Sequence, residues 1–217
     1  MDCGAPRGSA STRRRSASQG GLPIANACEY VTDKAITSVN VDNVGGARAI
    51  TDYLLLLGHR DIALINGRES PISSDRARGY RDALAVRNIA RDERLIVSDD
   101  FGAESGVRAI ETLLAGGAPF SAVFCSSDEM ALGAIRNPRA RGLRAPEDVS
   151  IAGFDDIQLT RFFDPPLTTI AQPKSELGEE AMRMLLDLLN DPLTPVRKRM
   201  LPAELVIRGS PGAPRET

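Results

Sequence analysis

Asp61-Ile-Ala-Leu-Ile-Asn-Gly67 holds four apolar residues in a row before a polar one and a glycine, and it decides how the chain around it is organised. A strand with one face in water alternates apolar and polar residues; this one does not, so it needs cover on both faces, as strands of a parallel sheet do. Similar runs follow at Arg94–Ser98 (RLIVS), Ser121–Cys125 (SAVFC) and Val149–Phe154 (VSIAGF). The segments between them carry helical spacing. It predicts helices from about Asp75 to Val86, from Glu104 to Ala115 with Val107, Ile110 and Leu114 on one face, and around Glu129 to Ile135. Strands alternating with helices of this length imply βαβ units, hence an α/β fold built on parallel sheets.

Working outward, Ile24–Ala27 and Ser38–Val41 are short β-favouring runs, and Ile50, Tyr53, Leu54 and Leu57 follow a helical stripe closed by Gly58. Towards the carboxyl end, Asp164-Pro165-Pro166 can continue neither a helix nor a central ladder, so Leu167–Ala171 reads as an extended crossover. A long amphipathic helix with Leu177, Ala181, Met184, Leu185 and Leu188 on its buried side comes next, then a final strand, Leu201–Ile207. Residues 1–21 are rich in arginine and serine and have no apolar h-region, so they do not read as a secretory signal. They read as a disordered leader, and 209–217 (GSPGAPRET) as a disordered tail.

Of the 217 residues, 42% are hydrophobic and 26% charged, with 27 Lys and Arg against 29 Asp and Glu. That near-balance argues against a dedicated nucleic-acid-binding body, and no run approaches the roughly 20 apolar residues a membrane span needs. Cys3, Cys28 and Cys125 are widely spaced, so neither a disulfide framework nor a zinc site is indicated, and the setting expected is reduced and cytoplasmic. His59 is the single histidine, and its place between a helix and the amino end of a strand gives it a structural role. Phosphate-loop, dinucleotide-loop, nucleophile-elbow and C-x-x-C motifs are missing, so no cofactor, metal or catalytic residue is assigned.

In a parallel α/β sheet, ligands sit beyond the carboxyl ends of the strands. Those positions hold Asn66–Ser74, Ser98–Phe101, Ser126–Asp128 and Asp155-Asp156. Arg76, just beyond the first loop, is a fixed bidentate donor. A guanidinium, a carboxylate, a hydroxyl and one phenyl ring make a grip for a small polyhydroxylated molecule, one with a ring included. The plainer account of any single one is a helix cap, for which Asp75, Asp100, Ser126 and Ser127 are all suited. Asp155-Asp156 also admits an α/β phosphoryl-transfer enzyme using Mg²⁺.

Several motifs then occur in order. They are Val41-Asp42-Asn43 with Gly45-Gly46-Ala47, Leu57-Gly58-His59-Arg60, Arg76-x-x-Gly79-Tyr80, Ser127-Asp128-x-Met130-Ala131-Leu132-Gly133 and Pro146-Glu147-Asp148-Val149-Ser150-Ile151. Gly153-Phe154-Asp155-Asp156 and Pro165-Pro166-Leu167-Thr168-Thr169-Ile170 complete the series. From about Gly21 to Ser210 the chain resembles the effector-binding core of the LacI/GalR family of transcription regulators. Phe124–Asp128, Asp164–Pro173 and the ending Ile207–Ser210 are most similar to the cytidine repressor branch.

The resemblance implies a periplasmic-binding-protein-like (type I) fold of two Rossmann-like subdomains, with a small nucleoside or sugar as effector in the cleft between them. It places Arg76, Phe101, Ser127 and Asp155 at effector-contacting positions, and Asp42 and Lys174 near the cleft. Ser127 stands where family members often carry Asn, so sugar specificity does not transfer. A helix-turn-helix head, through which such regulators reach DNA, and the first βαβα portion of the amino-terminal subdomain are not recognisable in these residues. The expected layout is therefore a leader (1–21), a remnant of the amino-terminal subdomain (22–58), the carboxyl-terminal subdomain (59–171), a crossover and helix (172–190), a last strand (191–208) and the tail (209–217). Two further expectations follow: Ile50–Leu57 and Leu177–Leu188 should leave apolar faces partly exposed, and Pro138 should shorten or kink its helix. A homodimer is expected where the reduced subdomain holds together, and a small-molecule transport receptor of the same fold is the alternative binder.

Overall fold

The apolar runs become the strands of a four-stranded parallel sheet, and the helices between them cover both of its faces. A computed structural model describes residues 22–28, 36–140, 144–191 and 193–215, the side chains of 137–140 excepted. The chain divides into two bodies: a larger one of Val41–Pro173 with 202 onward, and a smaller one of residues up to Asn40 with Lys174–Leu201.

In the larger body the strands are β3 (Ile62–Asn66), β4 (Ile96–Ser98), β5 (Ala122–Cys125) and β6 (Ser150–Ala152), in the order β4-β3-β5-β6. Its helices are α1 (Asn43–Leu56), α2 (Pro71–Val86), α3 (Ala103–Ala115) and α4 (Asp128–Ala140). Because side chains alternate along a strand, each apolar run feeds two cores. Ile62, Leu64, Ala122, Phe124 and Ala152 pack under α1 and α2 with Ile50, Leu54, Tyr80 and Leu84. Ala63, Ile65, Val123, Cys125 and Ile151 pack under α3 and α4 with Ile110, Leu113, Met130 and Ile135. In the core under α1 and α2 the Tyr80 hydroxyl donates to the Ile62 carbonyl at 2.7 Å; burial pushes its pKa up to about 12.

Helix α1 packs on α2, and Gly79 lets them approach: a Cβ there would lie 2.2 Å from the Val44 carbonyl oxygen. Two expectations change as a result. The stripe of α1 is fully covered at Ile50 and Leu54 but only half-buried at Tyr53 and Leu57, with Leu56 exposed beside it, and 41–58 belongs with the larger body. The start of α2 also moves earlier, to Pro71, because the Ser70 hydroxyl accepts from the Ser73 N–H and caps it. Helix α4 runs through Pro138 to Ala140.

Beyond β6, β7 (Thr169–Ala171) pairs antiparallel with β9 (Glu204–Val206). The tail reading is corrected for 209–215. Ser210 is fully buried, and its hydroxyl donates to the Ile151 carbonyl at 2.6 Å and accepts from the Thr168 N–H at 2.9 Å. The Gly212 N–H donates to Ser150 Oγ at 2.9 Å, and Arg215 pairs with Asp148. His59 anchors the same segment. A carbonyl can only accept, so Nε2 carries the proton to Gly212 O at 2.9 Å, leaving Nδ1 to accept from Ser121 Oγ at 2.8 Å. Burial holds its pKa below the ordinary value, which keeps this neutral tautomer.

The smaller body holds a sheet in the order β1 (Ala25–Ala27), β2 (Thr37–Val41) and β8 (Lys198–Leu201), with α5 (Lys174–Asn190) packed on β1. Strand β8 was not separated from β9 in the sequence. Leu177, Glu180 and Met184 form the buried side of α5, and Glu180 is paired with Arg183 at 2.9 Å and Arg199 at 2.8 Å. The expected face of α5 is buried at Leu177 and Met184 and half-buried at Ala181, Leu185 and Leu188; the exposed apolar residues are others, Met182, Leu186 and Leu189. The leader, 1–21, lies outside the described residues.

Candidate ligand-binding site

The carboxyl ends of β3, β5 and β6 converge on Arg76. The second turn of α2 points its side chain back over the sheet edge, and only 4% of the residue remains exposed. Its Nε donates to Asn43 Oδ1 at 2.9 Å, Nη1 to the Ser126 carbonyl, and Nη2 reaches Asp155 Oδ1 at 3.4 Å. Its Cζ lies 3.7 Å from the centroid of the Phe154 ring. A guanidinium gripped at Nε and stacked on a ring has a fixed plane, which is the condition for directional recognition of hydroxyls or a planar group.

Asp155 is delivered by an unusual turn. Both Asp155 (φ 122) and Asp156 (φ 48) sit at positive φ, where side chains other than glycine are strained. Three ties hold the turn. Asp155 N–H donates to Ile170 O at 2.8 Å; the Asp155 carboxylate also accepts from Gln172 Nε2; and Asp156 binds Arg208 at 2.7 Å and Thr160 at 3.1 Å. Burial pushes the Asp156 pKa up, but the hydrogen bonds from Arg208 and Thr160 outweigh it and hold the carboxyl below the usual range. The two neighbouring carboxylates thus face different partners. Among the described residues no group of His, Cys, Asp and Glu is arranged to hold a metal.

Asp128 lies beneath this turn, fully buried, accepting from Thr169 Oγ1 at 2.5 Å and from the Ile157 N–H at 2.9 Å. Burial raises its pKa to about 6; the two hydrogen bonds oppose that rise and the charges of Asp155 and Asp156 add to it.

The four expected contact residues form two pairs. Arg76 and Asp155 meet directly. Ser127 and Phe101 meet through a backbone bond: the Ser127 hydroxyl donates to the Phe101 carbonyl at 2.8 Å and accepts from the Met130 N–H at 3.1 Å. Ser127 therefore caps α4, and both faces of its hydroxyl are engaged. The Phe101 ring lies on Gly67, where a Cβ would stand 2.0 Å from its Cζ, so a larger residue at the end of β3 would have to displace the ring. Ser126 and Asn66 join the two pairs, with the Ser126 hydroxyl donating to Asn66 Oδ1 at 2.8 Å. A cavity of about 240 Å³ opens beside Asn66 and Gly67, with Glu69, Ser73, Ala77, Arg81 and Ser98 around it.

Asp42 caps α1, accepting from the Gly45 N–H at 2.8 Å. Lys174 opens α5 in the smaller body and is exposed. Asn43 and Gln172 belong to the site without being legible in the sequence, because an amide that bonds 33 or 17 positions away leaves no local pattern. Cys125 is buried in the core, and burial pushes its thiol pKa up, which removes it as a nucleophile.

Residues 51–211 match the periplasmic binding protein-like domain family. The chain is 43% identical over 189 residues to the HTH-type transcriptional repressor CytR of Escherichia coli K12, covering 87% of this chain and 55% of that protein. It thus spans about half the length of the curated relatives it matches. Among solved structures, a transcriptional regulator CelR–cellobiose complex superposes with a TM-score of 0.85 at 35% identity, covering 91% of this chain and 61% of that one. A sugar-binding LacI-family regulator from Escherichia coli complexed with phosphate gives 0.82 at 32% identity, covering 96% and 76%.

Proposed function

The chain belongs to the LacI family of transcriptional regulators, and on that premise we propose that it is the ligand-sensing core of such a regulator, taking a nucleoside or a sugar at the carboxyl edge of the larger body. One observation carries the reading: Arg76, stacked on Phe154, meets Asp155 at the sheet edge, so a planar donor and a carboxylate acceptor stand side by side. Sugars and ribosides present adjacent hydroxyls that both donate and accept, and this pair answers both needs. Phe101 offers an apolar face on the same edge, where Ser127, its hydroxyl engaged by the Phe101 carbonyl and the Met130 N–H, holds that segment in place. Cellobiose in the CelR complex is a ligand of the same chemical kind.

In the whole regulator, ligand occupancy would shift the conformations available to the core and so the presentation of a DNA-binding segment. The relative CytR is named an HTH-type repressor, which is the kind of segment meant. The protein acts in this reading as a cytoplasmic homodimer and performs no chemistry on its ligand. Among the described residues no helix is long and apolar enough to cross a membrane.

The test is a thermal-shift and calorimetric series with cytidine, ribose and cellobiose. At least one compound should raise the melting temperature with the logarithm of its concentration above Kd and be recovered unaltered. Arg76→Ala and Asp155→Asn should each lower the affinity at least tenfold. No shift with any of the three, or full affinity in both variants, contradicts the proposal.

A further inference from the structure

Asn43 makes two bonds, both buried. Its amide oxygen accepts from Arg76 Nε at 2.9 Å, and its amide nitrogen donates to the Val41 carbonyl at 3.1 Å. Arginine only donates and a carbonyl only accepts, so the amide has one possible orientation. Val41 is also where the chain enters the larger body. The same guanidinium reaches Asp155, whose carboxylate accepts from Gln172, and Pro173 beyond it is the last residue before the chain leaves that body. One side chain at the ligand edge is thus tied to the entering strand through Asn43 and to the leaving strand through Asp155 and Gln172.

We propose that Asn43 is a positioning residue for ligand binding, orienting Arg76 and coupling its occupancy to the two places where the chain crosses between bodies. The inference rests on the reading of Arg76 and Asp155 as ligand contacts. With Nε held by Asn43 and the ring of Phe154 beneath, the terminal nitrogens of Arg76 point along the sheet edge. A ligand that draws Asp155 or Arg76 towards itself loosens or tightens both ties together. Neither tie involves an element that merely packs nearby; each is a directed bond one or two residues from a crossing.

The experiment uses the full chain, amide hydrogen exchange over residues 40–44 and 171–174, and calorimetric titration with cytidine and with ribose. Asn43→Leu removes both bonds, Asn43→Asp keeps the acceptor for Arg76 and sets a carboxylate against the Val41 carbonyl, and Arg76→Gln removes the hub. Without any ligand, Asn43→Leu and Arg76→Gln should speed exchange at 40–44 at least tenfold, with Arg76→Gln also speeding it at 171–174. Asn43→Asp should bind within threefold of the parent while exchanging faster at 40–44 alone, and Asn43→Leu should lose at least tenfold in affinity. A purely structural Asn43 would not separate binding from exchange in this way. Unchanged exchange in the ligand-free variants overturns the proposal, as does parental affinity in Asn43→Leu. Should Asn43→Leu fail to fold, the split in Asn43→Asp decides. If Arg76→Gln binds as the parent does, the ligand reading fails while the exchange arm is read independently.

Discussion

Arg76 lies over the face of Phe154, its Cζ 3.7 Å from the ring centroid, and both residues are almost wholly buried. The ring's negative face offsets part of the cost of desolvating the guanidinium, and the Asn43, Ser126 and Asp155 contacts supply the rest. Phe154→Leu keeps an apolar filler and removes the face. Urea unfolding should show a loss of about 1–3 kcal/mol, with ligand affinity falling alongside it. A variant as stable as the parent would mean that the stacking carries no energy.

Asp128 makes stability depend on pH. Its pKa rises from the ordinary 3.8 to about 6, so its favourable contribution is complete below pH 3.8 and is lost as pH rises through 6. The loss amounts to about 3 kcal/mol at neutral pH. Asp128→Asn can still accept from the Ile157 N–H while its amide donates to Thr169 Oγ1. The variant should therefore gain stability relative to the parent between pH 4 and pH 7.5, by urea melts at both. An equal difference at the two pH values would show that Asp128 does not titrate in this window.

His59 acts with the opposite sign. Its pKa is lowered from 6.5, so its contribution is present above pH 6.5 and is lost as pH falls through the folded-state value. His59→Leu should weaken that dependence and release the segment around Gly212. Trypsin cleavage after Arg208 should accelerate severalfold at pH 7.5, and slow cleavage equal to the parent's would contradict the anchoring role.

Gly79 sets the distance between α1 and α2, since a Cβ would meet the Val44 carbonyl at 2.2 Å. Gly79→Ala must push two helices apart and should cost about 1–3 kcal/mol or more, measured by denaturant unfolding. Alanine is the better helix former, so a gain in stability would show the helices further apart than described.

Much of the larger body was legible because strands covered on both faces lose their polar alternation; Ile62–Ile65 and Ala122–Cys125 announce this directly. Of the helix at 43–56 only the stripe from Ile50 onward was legible, and its partner was not: Ile50 and Leu54 show that a face is buried and say nothing about which helix buries it. The tail misled for a related reason. Glycine, serine and proline read as disorder, yet Ser210 and Gly212 satisfy backbone and hydroxyl groups at the sheet's end. At the site, Asp155 stood out through charge at a strand's end and Arg76 through charge just beyond a strand's loop, whereas Asn43 and Gln172 bond across 33 and 17 positions. Such bonds emerge only when the fold brings their partners together.

The most direct measurement follows the side-chain Nε–H resonance of Arg76, assigned through Arg76→Gln, during titration of the ¹⁵N-labelled protein with cytidine and with ribose. A saturable shift of that resonance, with the same dissociation constant that calorimetry gives, is the predicted result. A compound that binds by calorimetry while the Arg76 resonance stays fixed would place the ligand elsewhere and contradict the account.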